Sequence, residues 1–228
     1  MNENKTIVKN SLILYIRLLI TSLIGLITVR FILQALGSSD YGLYSVVGGI
    51  VSMMAFLNNV MISTTYRYVA FELGKGETGD VNKVFNISAI IHFVLALFTI
   101  LLGETLGVYY IKNYLNVDPG KIADALFVFR FSILSTIFSI FSIPFMGFIT
   151  AKEKFVVTAS VEILYSILKL GLVIFVSYYI GNRLRLYALL IAIISIIPPV
   201  LYYLYSKWKF GELIKLKFIK DKAKYKEM

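Results

Sequence analysis

The sequence predicts an all-α integral membrane protein with six transmembrane helices and both termini in the cytoplasm, and three observations carry that prediction. The first is composition: 58% of the 228 residues are hydrophobic and 16% are charged, against about 45–50% and about 25% in ordinary soluble domains. The second is the presence of six apolar runs of 20 residues or more, at about 11–36, 43–65, 84–111, 125–149, 156–180 and 186–206. A helix rising about 1.5 Å per residue needs about 20 such residues to cross about 30 Å of hydrocarbon. The third is the placement of the basic residues between those runs.

The first run, 11–36, follows Lys5 and Lys9 and ends at Leu36 before Gly37. It is far longer than the 7–15 residues of a signal-peptide core, so it reads as an uncleaved span. A turn, Gly37-Ser38-Ser39-Asp40-Tyr41-Gly42, leads to the second run, in which Gly48-Gly49 permits close helix contact. The polar connector from Tyr66 to Lys83 precedes the third run, and the stretch from Lys112 to Asp124 precedes the fourth. Pro144 predicts a kink in the fourth run and Pro198-Pro199 one in the sixth. The connectors Thr150 to Phe155 and Gly181 to Arg185 are short. The runs are rich in Leu, Ile, Val and Phe without strict alternation, which favours helices over barrel strands. Tyr109, Tyr110, Tyr202, Tyr203 and Trp208 lie near span ends and fit an interfacial aromatic belt.

The formal charge of +10 invites a nucleic-acid reading, but position removes it. With the N-terminus in the cytoplasm, 15 basic residues fall inside and four, Lys112, Lys121, Arg183 and Arg185, fall outside. That asymmetry obeys the positive-inside rule. Eight of the inner ones lie in the tail 207–228, a Lys-rich amphipathic segment interleaved with Trp208, Phe210, Leu216 and Phe218. Two readings of this tail stay open: an ordinary positive-inside flank, or a helix that binds anionic lipid. There are no cysteines and one histidine, so disulfide frameworks, thiolate metal sites and histidine-built metal clusters are excluded, and no cofactor is called for.

Four cations remain inside the spans: Arg17, Arg30, Arg130 and Lys169. Placing such a group at a helix centre costs about 2.5–3.5 kcal/mol, so each needs a reason. Arg17, Arg30 and Arg130 lie near enough to an interface to snorkel. Lys169 is central, and faces protein, water or Glu162 seven residues before it. Glu104, Glu162 and His92 are the candidate charge partners, with Glu104 able to neutralise either outer arginine. Arg17 and Arg30 differ by about 220° around a straight helix, so without a bend, for which Gly25 offers a place, they cannot share one cavity.

Several segments, read in order, resemble a known family. They are Tyr15-Ile16-Arg17; Thr28-Val29-Arg30 leading to Leu36-Gly37-Ser38-Ser39-Asp40-Tyr41-Gly42-Leu43-Tyr44; Val46-Val47-Gly48-Gly49-Ile50; Arg67 with Phe71-Glu72-Leu73-Gly74; Glu104 with Gly107; and Pro144-Phe145 with Ala151-Lys152-Glu153-Lys154. Together they resemble the polysaccharide biosynthesis flippases that carry lipid-linked O-antigen units, in the multidrug/oligosaccharidyl-lipid/polysaccharide exporter superfamily. The resemblance implies a fold of two six-helix lobes around a cavity that opens alternately to each side. The chain has six spans where that family has 12 or 14, so it looks like the N-terminal lobe, with the tail as linker to a second.

The expected function is transport without catalysis: movement of a polyprenyl-pyrophosphate-linked oligosaccharide across a bacterial cytoplasmic membrane for surface polysaccharide (lipopolysaccharide O-antigen) export. The expected partners are that anionic lipid-linked glycan, membrane lipids and a second six-helix lobe, with no nucleic acid. Arg17, Arg30, Arg130 and Lys169 would form a cationic substrate-binding ladder, the first two on resemblance and burial, the last two on burial alone. Three other readings compete. A cation-coupled multidrug exporter of the same fold would need acids at its site; a glycan polymerase or transferase would need larger outer loops; a non-transporting truncated lobe needs neither.

Overall fold

The computed structural model describes the backbone of residues 3–211, 213–221 and 225, and the side chains of these except 3–4 and 54–60. The protein is 87% helical, and no strand occurs among the described residues. Among the described residues seven α-helices follow one another: α1 (Glu3–Gly74), α2 (Val81–Leu102), α3 (Val108–Asn113), α4 (Ile122–Ala151), α5 (Phe155–Ser177), α6 (Arg183–Ile194) and α7 (Ile197–Phe210). Among the described residues five helical stretches are long and apolar enough to cross a membrane, the first of them, Lys5–Met53, running through Gly37 and so including parts of two passes, and the protein is accordingly a multi-pass membrane protein.

The first departure from expectation is α1. No six-residue turn separates the first two spans; helix persists from Glu3 to Gly74 except at Gly37, whose φ of 77° and ψ of 168° break it. Ser38 to Gly42 are already helical. One glycine suffices because only a residue without Cβ reaches that conformation cheaply. The helix is otherwise unbroken at Gly25, and it extends past Tyr66 into what composition marks as a connector.

Contacts show that the two arms of α1 run antiparallel. In the first arm Arg17 meets Glu162 near the start of α5, and Ile32 packs in a cluster with Leu172, Val173 and Val176 near its end. In the second arm Ser39 and Asp40 bond Lys121, just before α4, whereas Thr65 abuts Gly147 near its end. The first arm thus parallels α5 and the second parallels α4. Only Lys152–Lys154 separate those two helices.

The third pass is a single rod, Val81–Asn113, in which a π-turn at Gly103–Gly107 separates α2 from α3. Its two glycines let Phe129 and Ile133 of α4 lie directly against the backbone. Gly48 and Gly49, by contrast, face open space, so close packing occurs at a different glycine pair from the expected one. Pro144 is buried inside an uninterrupted α4. The sixth pass does break, at Ser195–Ile196, with prolines at the first turn of α7, where a missing N–H costs nothing.

Each end of the bundle has its own polar contacts. At the Gly37 end Arg183 donates to the Ala35 carbonyl at 3.1 Å and Arg185 pairs with Asp124 at 2.6 Å. The Asp40 carboxylate beside Lys121 raises that ammonium's pKa above its ordinary value. At the other end the buried Glu72 carboxylate accepts from Lys75 Nζ at 2.9 Å and from the Asp80 backbone N–H at 3.1 Å, organising the turn into α2. Past Phe210 the described residues 211 and 213–221 carry no helix, and those from Leu213 to Asp221 lie over the start of α2; Tyr225 is again helical. Lys222, Lys224 and Lys226 lie outside the described residues.

Candidate functional site: a lysine-bearing cavity between two helix arms and α5

Spacing alone puts a polar stripe on each of two neighbouring helices. Residues four or seven apart share a helix face, so Arg17, Thr21 and Thr28 line one side of the first arm. Glu162, Ser166 and Lys169 line one side of α5 in the same way. Because these helices run parallel, the stripes face one another along their length. The hydroxyls donate to their own helices, Thr21 to the Arg17 carbonyl at 2.9 Å, Thr28 to Ile24 at 2.6 Å and Ser166 to Glu162 at 2.9 Å. Their donors are thereby satisfied, and their oxygens remain able to accept.

Where the second arm and α6 join this pair, a half-open cavity of about 330 Å³ forms. That volume is within the range of small-ligand sites, roughly 300–1,000 Å³. Thr21, Thr28, Ser45 and Ser166 supply hydroxyls, and Tyr41, Tyr44 and Tyr187 supply rings. Tyr44 and Tyr187 meet edge to face with centroids 5.0 Å apart. Lys169 is the one cation of the lining. Its ammonium sits 5.7 Å from the centroid of the Tyr165 ring, and it makes no ion pair among the described residues.

The other predicted cations take different places. Arg17 lies below the cavity and pairs with Glu162, Nη1 to Oε1 at 3.0 Å; Glu162 is thereby occupied by Arg17 rather than by Lys169. Seven residues along α5, about 10 Å, separate that pair from Lys169. Arg30 is exposed on the first arm, away from the cavity, and has no ion pair among the described residues. Arg130 lies on the far flank of the bundle, donating through Nε and Nη2 to the two Glu104 oxygens at 2.9 Å each. The π-turn that carries Glu104 sets this bidentate geometry. His92 is fully buried, with Nδ1 2.6 Å from the Ser88 carbonyl, and Ser88 in turn bonds Thr65 at 2.8 Å.

The four cations therefore do not form one ladder. Lys169 and, beneath it, the Arg17–Glu162 pair lie along one interface; Arg30 and Arg130 belong to other surfaces. The tyrosines of the cavity had a sequence signal in the Tyr41/Tyr44 pair, which share a helix face once the connector is recognised as helix. Tyr202, assigned above to the interfacial belt, is 2% exposed and packs inside the bundle. Its hydroxyl approaches the Thr158 carbonyl at 3.5 Å.

An ammonium without a carboxylate neighbour attracts an anion. Hydroxyl oxygens free to accept suit a ligand that brings its own hydroxyl donors, and the half-buried rings of Tyr41 and Tyr44 offer it an apolar wall. The site is equipped to hold an anionic, hydroxyl-bearing group. Compared with family models, with curated proteins and with solved structures, the chain matches none.

Proposed function

We propose that the protein is one lobe of a transporter that moves a polyprenyl-pyrophosphate-linked oligosaccharide across a bacterial cytoplasmic membrane. The observation that carries this reading is the unpaired Lys169 in a hydroxyl- and tyrosine-lined cavity within the membrane-spanning part of the bundle. A charged, sugar-bearing headgroup crosses hydrocarbon only if its lost hydration is replaced. Lys169 replaces it for phosphate, the cavity hydroxyls and rings do so for sugar, and the polyprenyl tail stays in the bilayer. The reading has the chain carry substrate without altering it, so it acts as a transporter and not an enzyme.

Orientation follows from the excess of basic residues at the end opposite Gly37, which the positive-inside rule assigns to the cytoplasm. Export then runs from that end toward Gly37. An inside-negative potential assists, because moving about two negative charges outward is worth roughly 4–5 kcal/mol per 100 mV.

The cavity's open side fits a second six-helix lobe. Only 6% of the most apolar window of α1 is buried within the bundle, against 28–44% for the other four spans, so its first arm has most of its apolar face to offer lipid or protein. The multidrug-exporter alternative is less well supported, because Glu162 is already tied to Arg17. Deleting the gene should leave lipid-linked glycan on the cytoplasmic leaflet and remove surface polysaccharide, and restoring the gene should reverse both. Unchanged surface polysaccharide in the deletion strain would defeat the proposal.

A further inference from the structure

The segment after α7 does not hang free. Asn82 donates through Nδ2 to the carbonyls of Leu213 and Lys215 at 3.2 and 3.0 Å. Asn86, 2% exposed, donates to the Lys215 carbonyl at 2.8 Å and accepts from the Lys217 N–H at 2.7 Å. Farther along, Lys83 pairs with Asp221 at 2.6 Å. Two asparagines one helical turn apart thus hold an extended strap by its backbone, as a neighbouring strand would. Ile214 turns inward to pack on the core.

Pinning the backbone fixes what the strap displays. Leu216 and Phe218 are 66% and 75% exposed, and Trp208 of α7, which lines a neighbouring groove with Leu213, is 79% exposed. Grooves of about 390 and 460 Å³ flank the strap, both lined by Leu216. One carries Lys207 and Lys215 at its polar edge against Phe145 and Tyr203, and the other carries Lys217 against Phe93. Asp221, the described acid of the strap, is engaged by Lys83. Large apolar side chains and the ammonium groups of Lys207, Lys215 and Lys217, which make no ion pair among the described residues, therefore stand together at the same end of a membrane-spanning bundle.

We propose that the strap, α7 and the start of α2 form a docking site for the headgroups of anionic phospholipids in the adjoining leaflet. Phosphate answers the lysines by charge, and the glycerol and upper acyl chain answer the grooves. Lysines near an anionic leaflet attract it individually; the strap adds fixed spacing, so that lipids are held at set positions beside the bundle instead of merely concentrated near a mobile tail. The site rests on the membrane-embedded fold and is independent of the transport reading.

Trp208, the single tryptophan, lies next to the strap through Leu213 and reports on lipid held there. The full chain is reconstituted in vesicles in which either phosphatidylglycerol or phosphatidylcholine carries brominated acyl chains, at equal mole fraction. Brominated phosphatidylglycerol should quench Trp208 at least about threefold more effectively, the enrichment expected of several lysines acting together. The triple variant Lys207→Gln, Lys215→Gln, Lys217→Gln should quench equally with both lipids. Asn86→Ala keeps every lysine but loses the clamp, and should lose most of the preference; Asn82→Ala, at a half-buried position, serves where the first variant does not fold. Equal quenching in the unaltered chain overturns the site. Full preference in a folded clamp variant also overturns it, because the lysines would then act as a free tail.

Discussion

Replacing Lys169 with alanine should abolish surface glycan export in a strain that depends on this gene, without lowering the amount of protein in the membrane. The ammonium is the single cation of the cavity and has no ion-pair partner among the described residues, so its removal deprives a bound phosphate of its charge complement while breaking no salt bridge. Burying an anion without such a partner costs several kcal/mol, enough to reduce transport by about two orders of magnitude or more. Lys169→Arg keeps the charge and should retain part of the activity. Arg30→Ala provides the contrast: an exposed residue outside the cavity should leave most export intact. Immunodetection of surface polysaccharide alongside membrane protein level reads all three.

Gly37→Val should destabilise the fold more than substitution at any other exposed glycine of α1. The Gly37 backbone, at φ 77° and ψ 168°, lies where a β-branched residue is strained by about 1–3 kcal/mol. The strain has two outlets. The bend persists under tension, or α1 straightens toward a 72-residue rod about 108 Å long. Straightening would separate Arg17 from Glu162 or Asp40 from Lys121, since one bundle cannot satisfy both pairs with the arms apart. A fall in melting temperature of about 2–12 °C in detergent is expected from a loss of that size in a chain of this length. Gly49→Ala meets nothing within 4 Å and lies in regular helix, so it should leave the melting temperature unchanged or raise it slightly.

Much of the architecture is legible in the sequence because membrane solvent imposes it. Six apolar runs must be helices, and their alternating direction follows from short connectors; the observed antiparallel arms and the parallel pairing of the first arm with α5 agree with that. The Gly37 connector misleads because Gly, Ser and Asp mark a turn in water, yet here Ser38 to Gly42 continue as helix and one glycine makes the whole bend. The tail misleads in the opposite way. Its interleaved lysines and apolar residues suit an amphipathic helix, but between Leu213 and Lys217 the backbone is taken up by Asn82 and Asn86, 129 to 133 residues away in the chain.

The candidate site divides along a similar line. Lys169 was conspicuous because its depth leaves few alternatives, and Glu104 was recognisable as a neutraliser of an outer arginine. Which arginine it meets is set by the π-turn at Gly103–Gly107, whose register no periodicity predicts. The division of the four cations among three surfaces likewise depends on helix packing, since spacing along one helix says nothing about which face a neighbour covers. Tyr41 gives no ligand signal because it lies in a stretch that reads as a turn, and Tyr44 because it sits at the very start of the second apolar run.

The central claim is that an anionic lipid-linked glycan occupies the cavity beside Lys169, and the absence of cysteine from the chain allows a direct measurement. Ser166→Cys places one thiol in the cavity lining, and Ser39→Cys places one at the Gly37 end of the bundle. Both should react with a water-soluble maleimide in reconstituted membranes. Adding a polyprenyl-pyrophosphate-linked oligosaccharide should protect the cysteine at 166 and leave that at 39 unaffected, and Lys169→Ala should remove the protection. A cavity cysteine labelled at the same rate with and without saturating glycan lipid would contradict the account.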